Sequence, residues 1–313
     1  GVEPVAAIQI PLPARRKGMS GLARREALTA YLLIAPNFLI YAVFTVFPVV
    51  FSFFLAFTDW NFVSGLAGLK IIGLENFRAL PSDTWFTRSL QNNLVFTLVV
   101  PISMAVGLFF AIILNNFCYL KPVLRAMIFM PYITSAIAVA AVWLVIFHPT
   151  FGPVNSFLMA IGIENPPKWA GSVQWAMPTV MIVSLWAGLG YDMVIYLAGL
   201  QGIPKELYEA SQIDGANGWQ QFSYIVFPLL WPTTFFLLVT GIIGSFKVFA
   251  LINVMTQGGP GQATTMLAFY VYKAGFTFYR MGYASAVAWV LMLLVFFITL
   301  LQMWGQKRIA EYL

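Results

Sequence analysis

Charge is scarce in this 313-residue chain: only 9% of its residues are Asp, Glu, Lys or Arg, where an average soluble chain carries about 25%. Hydrophobic residues make up 60% and mean hydropathy is +0.83. No single soluble core of this length needs so much apolar surface, so the chain reads as an all-α integral membrane protein. A length prior of about two soluble domains gives way to one membrane domain. Cysteine is limited to Cys118, which excludes an intrachain disulfide framework; beside an expected cytoplasmic turn it reads as small and inert. The single histidine, His148, precedes Pro149 at the outer end of a span. Without Cys or His partners it is a structural residue rather than a metal ligand. There is no HExxH pair, carboxylate cluster or nucleophile elbow, which argues against a membrane-embedded enzyme. Neither an acidic cluster at mid-membrane nor inverted halves support the alternative of a channel or ion-coupled secondary transporter. The net charge of +6 comes without a basic–aromatic stripe, so it suits cytoplasmic anchoring rather than nucleic acid.

What the chain does contain is long apolar segments. A membrane-crossing helix needs roughly 20 mainly apolar residues, and six stretches qualify: Tyr31–Phe57, Asn93–Leu114, Ala126–Phe147, Val173–Leu200, Leu229–Val254 and Ala284–Trp304. The first is too long for a secretory signal and no small-residue cleavage site follows it, so it is expected to be retained. Basic residues set the orientation. With the N-terminus inside, Arg15, Arg16, Lys17, Arg24, Arg25, Lys121, Arg125, Lys205, Lys307 and Arg308 are cytoplasmic. Lys70, Arg78, Arg88, Lys168, Lys273 and Arg280 fall outside, and Lys247 lies in a span. The inward excess places both termini in the cytoplasm.

Residues 1–28, with Pro4, Pro11, Pro13 and a basic run, are expected to be a mobile cytoplasmic tail. Residues 29–305 form the six-span domain and 306–313 a short cytoplasmic tail. The outer loop Thr58–Gln91 has room for short helices but not for a domain. Pro36, Pro48, Pro101, Pro131, Pro178, Gly188, Gly190, Pro232, Gly241 and Gly244 interrupt the spans. Membrane helices tolerate such breaks where neighbours or a wet cavity satisfy the freed backbone, and small residues let helices approach closely. Together they describe a kinked bundle able to rock.

One polar island breaks the apolar pattern: Ile203–Pro228, IPKELYEASQIDGANGWQQFSYIVFP. Pro204 suits the first position of a helix. Ile203, Leu207, Ala210 and Asp214 recur at helical spacing, with Lys205, Glu209 and Gln212 elsewhere. Gly215 can take the left-handed conformation that ends a helix, and Asn217 is a good cap for another. Two short helices around a glycine turn, lying across the membrane surface, would offer an apolar and a charged side to a protein partner.

The ordered set Glu209-Ala210-Ser211, Asp214-Gly215-Ala216, Phe222, Ile225 and Pro228 closely resembles the EAA loop of ABC importer permeases. The likeness extends over nearly the whole chain after residue 28. AFTDWN (Ala56–Asn61), GLENF (Gly73–Phe77), GLFFAIILNN (Gly107–Asn116), RAMIFMPY (Arg125–Tyr132), FGPVNSFL (Phe151–Leu158) and LAGLQGIP (Leu197–Pro204) resemble the carbohydrate-uptake branch. So do VMTQGGPGQAT (Val254–Thr264) and YRMGYASA (Tyr279–Ala286). The resemblance implies a MetI-like bundle in a bacterial plasma membrane whose cytoplasmic loop 201–227 forms coupling helices. It implies a second homologous permease, two ABC ATPase subunits, an extracytoplasmic solute-binding protein and surrounding lipid as partners. ATP and Mg would be bound by the ATPases and no cofactor by this chain, which has no GxxxxGK[ST] run to cradle phosphates.

Within the loop, the resemblance assigns Glu209 as a polar anchor to the ATPase. Leu207, Ala210 and Ala216 would fill its groove, Ser211 and Asp214 belong to the motif, and Gly215 permits the turn. Cargo residues are sought among intramembrane charges, which are costly and usually face the bundle interior or water. Asp192 and Lys247 qualify, at different expected depths; a partner on the second permease or a snorkelling lysine are the alternatives. The family often has Gln or Asn where Lys247 stands, and a common Asp is replaced by Ala250. Trp186, Tyr191, Tyr196 and Asn253 could stack on a sugar or bind its hydroxyls, although Trp and Tyr also gather at membrane interfaces.

Overall fold

The computed structural model describes residues 21–116 and 120–310. The expectations for the N-terminal tail before residue 21 and for Cys118 lie outside those residues. The chain divides at Ser52–Phe53 into two compact units. The first holds α1 (Gly21–Tyr41) and a π turn at Ala42–Val46; α2 (Phe47–Leu55) carries the chain across the boundary.

In the second unit the expected outer loop is largely helical. A short α3 (Glu75–Ala79) precedes α4 (Thr84–Thr97), which leads directly into α5 (Val99–Asn116). The second apolar segment was expected to begin at Asn93, but its helix begins at Thr84 because Asp83 caps it, its carboxylate accepting the Trp85 N–H. Hydropathy misses this extension because its inward face is polar and satisfied by hydrogen bonds. Asn92 Nδ2 donates to the Gln262 and Thr265 carbonyls at 2.8 Å each. Asn93 donates to the Ser245 carbonyl at 3.2 Å and accepts the Leu267 N–H at 2.8 Å. A buried amide without such partners would cost several kcal/mol; with them it pins the Gly-rich segment to α4.

The third apolar segment is not one rod. It consists of α6 (Lys121–Ile133) and α7 (Ala136–Ile146), bent by 98° at Thr134–Ser135. Pro131 lies one turn before the break and withholds a backbone donor there. After α8 (Pro153–Ala160), the helix α9 (Val173–Gln201) runs unbroken for 29 residues, as its apolar stretch predicts. It is the hub of the unit: α5 packs along it, and α6 and α7 pack against it as well. His148 serves the turn after α7, its Nδ1 accepting the Thr150 N–H at 3.2 Å.

The polar island forms α10 (Lys205–Ile213), α11 (Gly218–Gln221), a π turn at Phe222–Val226 and α12 (Phe227–Leu229). A 62° bend then leads into α13 (Trp231–Phe246). The fifth segment was expected to continue to Val254 with Lys247 inside it. Instead α13 ends at Phe246, Lys247 caps it, and a separate α14 (Ala250–Met255) follows. Gly241 and Gly244 weaken the last turns of α13, and Lys247 is favourable at a helix C-terminus. Last come α15 (Leu267–Tyr272) and α16 (Met281–Ala310).

Among the described residues, four helical stretches are long and apolar enough to cross a membrane: Arg24–Leu55, Thr84–Asn116, Val173–Gln201 and Met281–Gln306. The two bent pairs would raise the number to six. One buried cluster joins Phe96, Val139, Phe147, Val183, Ile252 and Met266; a second joins Val100, Met104, Met193, Leu197, Leu230 and Leu237. Both include α9 residues and so brace that helix on two sides. A third joins Leu80, Phe86, Phe246, Tyr270, Tyr283 and Val287.

At the edge of this third cluster, the Asp83 carboxylate accepts hydrogen bonds from the hydroxyls of Tyr270 and Tyr283. Burial by itself would raise the Asp83 pKa, but the two tyrosine hydroxyls and the Trp85 and Phe86 backbone hold it below the ordinary 3.8. A carboxyl depressed on folding stabilises above its unfolded pKa, and that contribution disappears as pH falls through the folded value. Thermal unfolding in detergent is therefore expected to drop as pH falls below about 3.8, with Asp83→Asn showing a weaker response. An identical acid response in that variant would remove Asp83 from the account.

Candidate functional site

Two features stand apart from the packed bundle: the exposed helix–turn–helix of the polar island and a hydroxyl-lined cleft beside α9.

The first is built from local rules. Ile203 is buried and Pro204 sits at the N-cap with extended backbone, so the helix starts at Lys205, one residue later than expected. The cause is that proline's ψ of 135° lies outside the helical range. Glu206 in the first turn complements the helix dipole. At the other end Gly215 takes φ +78°. The Gly215 N–H bonds to Gln212 O at 3.1 Å and Ala216 N–H to Ser211 O at 2.9 Å, the paired bonds of a Schellman ending. Asn217 then forms a reciprocal capping box with Gln220, with bonds of 2.8 and 2.9 Å. Gln221 Nε2 donates to Ser211 Oγ at 3.0 Å, and Ser211 Oγ donates to Tyr208 O at 2.8 Å. The two short helices are thereby locked into one rigid piece.

Its faces differ from the expected division. Ile203 and Ser211 are buried and Tyr208 is half-buried against this chain, whereas Leu207, Glu209, Ala210 and Asp214 are exposed, with Ala216 half-buried. Ile203 thus does not share a face with Leu207, Ala210 and Asp214: it anchors the start of the loop to the bundle. Ile213 is 87% exposed, Trp219 73% and Tyr224 80%. Three large apolar side chains standing out of a polar loop are unusual without a partner. The sequence reading did not include them, nor Gln221. The signal for Trp219 and Tyr224 was present, as aromatics inside the one polar stretch; the Gln221 link depends on tertiary placement and leaves no sequence trace.

The second feature is a cleft of about 310 Å³ among α5, α9 and α13, with Ser103, Ser184, Tyr191, Asp192 and Thr240 on its walls. Ser103 Oγ donates to the Asp192 carboxylate at 2.5 Å. Tyr132 stacks on Tyr191 with ring centroids 4.8 Å apart. An adjoining cleft of about 510 Å³ shares Tyr132, Ser184, Gly188 and Val248 with the first and adds Lys247 and Phe249. Asp192 and Lys247 thus border neighbouring spaces without pairing. Trp186 is 41% exposed and meets Trp143 edge-on. Tyr196 is buried in the core, and Asn253, in α14, is half-buried and lines neither cleft. Seryl and tyrosyl hydroxyls facing a carboxylate in a cleft can exchange hydrogen bonds with a polyhydroxylated solute and offer an aromatic edge.

Residues 100–311 match the family described as binding-protein-dependent transport system inner membrane component. The chain belongs to that family. The match takes in all but the first residue of α5 and everything from there through α16, with the second cleft, all of the first but Phe96 and Val99, and the whole polar island. The sn-glycerol-3-phosphate transport system permease protein of Agrobacterium fabrum is 35% identical over 282 residues, covering 89% of this chain and 95% of that protein. The lactose transport system permease protein of Rhizobium radiobacter is 33% identical over 295 residues, covering 92% and 97%. A crystal structure of a bacterial alginate ABC transporter, in complex with an alginate pentasaccharide-bound periplasmic protein, contains a chain of the same fold. Its TM-score is 0.79 at 23% identity, covering 91% of this chain and 96% of that one. The chain is therefore a multi-pass inner-membrane transport component with a permease fold.

Proposed function

We propose that this chain is a permease subunit of an ATP-driven ABC importer for a carbohydrate or sugar-like solute in a bacterial plasma membrane. It crosses the membrane six times, the bent α6–α7 pair counting as one crossing and α13 making the fifth, with both termini in the cytoplasm. It contributes half of a translocation path completed by a second homologous permease. Two ABC ATPase subunits, carrying ATP and Mg, bind beneath, and an extracytoplasmic solute-binding protein delivers cargo from above. Residues 1–28 and 306–313 are the cytoplasmic tails of a domain spanning residues 29–305.

The observation that carries this reading is the rigid, exposed α10–α11 piece in a chain of this transport family. Leu207, Ala210, Ile213 and Trp219 supply apolar contact and Glu209 a charge for the ATPase. Ser211 and Gly215 hold the shape, while Asp214 and Ala216 complete the turn. ATP binding biases one of two states, so it must favour the ATPase arrangement that moves this piece. Cargo passes the cleft of Tyr191 and Asp192, with Trp186, Tyr196, Lys247 and Asn253 as the more remote candidates.

The test is uptake of a panel of labelled sugars into proteoliposomes holding the assembled importer and ATP. Orthovanadate is expected to abolish uptake, and a proton uncoupler to spare it. Asp192→Asn is expected to cut uptake at least about tenfold, a loss of about 1.4 kcal/mol of interaction, with the ATPases still bound. Uptake that survives vanadate but collapses with the uncoupler would instead establish an ion-coupled transporter.

A further inference from the structure

The packing of α13 against α16 leaves a groove of about 420 Å³. Its walls are apolar, formed by Ile243, Leu291, Met292, Val295 and Phe296, and Lys247 is the one charged side chain lining it among the described residues. Phe246, one residue before Lys247, packs in the same cluster as Tyr283, Ala284 and Val287. Lys247 therefore stands at the Ala288 end of the groove, and the Thr299 end is the other.

Depth follows from helix geometry. At 1.5 Å per residue the rise from Ala288 to Lys307 is roughly 29 Å, nearly the ~30 Å thickness of a bilayer core. With the sixth crossing beginning at Ala284, Ala288 lies roughly 6 Å inside the outer edge of the core, and the Lys247 stem carries its ammonium up to the outer headgroup level. From Ala288 to Thr299 the same rise gives roughly 16 Å, about one leaflet. An exposed ammonium at headgroup level, above an apolar groove one leaflet deep, complements a lipid with a negative headgroup.

We propose that this groove binds one anionic phospholipid of the outer leaflet, its phosphate on the Lys247 ammonium and an acyl chain along Leu291, Val295 and Phe296. The depth argument rests on the six-span orientation proposed above. Lys247 also borders the second cleft, which makes a cargo role the competing assignment.

The test is native mass spectrometry of the intact importer complex equilibrated with phosphatidylglycerol or phosphatidylcholine. Wild type is expected to retain one more phosphatidylglycerol than Lys247→Gln, whose retention should be about fivefold weaker, with Lys247→Arg close to wild type. Val295→Trp, which fills the groove and leaves the charge, is expected to lose the same lipid. Equal phosphatidylglycerol retention in all variants overturns the proposal. So does a disulfide from Met292→Cys to a cysteine of the second permease, which would show the groove covered by protein. Vanadate-sensitive sugar uptake in the same preparations reads the importer assignment separately: its loss in wild type strikes that assignment, and phosphatidylglycerol retention unchanged across the variants strikes only this one.

Discussion

Glu209→Lys is expected to reduce ATP-driven uptake at least about tenfold while leaving the chain inserted, because like charges set against each other across an interface cost several kcal/mol and each 1.4 kcal/mol is about tenfold. Glu209 is exposed, as are Leu207 and Ala210, so the change leaves this chain's own packing untouched. Gly215→Pro should have an equal effect by another route. Gly215 sits at φ +78°, whereas proline is fixed near −65°; the Schellman bonds that join α10 to the turn are then lost. Even alanine at that position costs about 1 kcal/mol, so Gly215→Ala should be the milder lesion. Uptake and ATP hydrolysis measured together decide the matter. Loss of uptake is the expected signature in both severe variants, with hydrolysis continuing without uptake in Gly215→Pro and the ATPase released in Glu209→Lys; unimpaired uptake in both would sink the assignment.

The second large effect concerns the bundle. Gly190 lies where α6 crosses α9: a Cβ there would come within 2.2 Å of Ile128 O and 2.6 Å of Phe129 Cα. Both are backbone atoms, so no rotamer relieves the clash. Gly190→Val should push α6 away from α9 and cost about 3 kcal/mol or more, at or above the upper range for overpacking a core. Tyr132 on α6 stacks on Tyr191 on α9, so the same displacement opens the cleft wall and should abolish uptake. Gly188→Ala is the matched control, because its Cβ would meet only Ser103 Oγ, at 3.7 Å. Melting in detergent is expected to fall sharply for Gly190→Val and hardly at all for Gly188→Ala. Equal melting of the two variants would show that the crossing is not set by Gly190.

Where the chain carries its own local signal, sequence reading and structure agree. Gly215 and Asn217 are residues whose conformational preferences act within a few positions, and the helix–turn–helix they specify is present. Val173–Gln201 is mainly apolar and forms one helix. Disagreements arise where a third partner decides. The Thr84–Asn93 half of its helix looks polar because Asn92 and Asn93 bond to residues some 150 to 175 positions away. The breaks at Thr134–Ser135 and at Lys247 lie inside apolar runs, where hydropathy is blind to backbone direction. For the cleft, Tyr191 and Asp192 were legible as polar groups in an apolar span. Their companions Ser103 and Tyr132 come from α5 and α6, and Ser184 from two turns earlier in α9; a serine or tyrosine in a span carries no mark of its neighbours.

The coupling role of the polar island is tested most directly by purifying the tagged chain from its native membranes in mild detergent and identifying what accompanies it by mass spectrometry. An ABC ATPase and a second permease should co-purify with wild type, and the ATPase should be lost with Glu209→Lys. Recovery of this chain only with copies of itself, under conditions that keep other membrane complexes together, would contradict an ATP-coupled importer subunit.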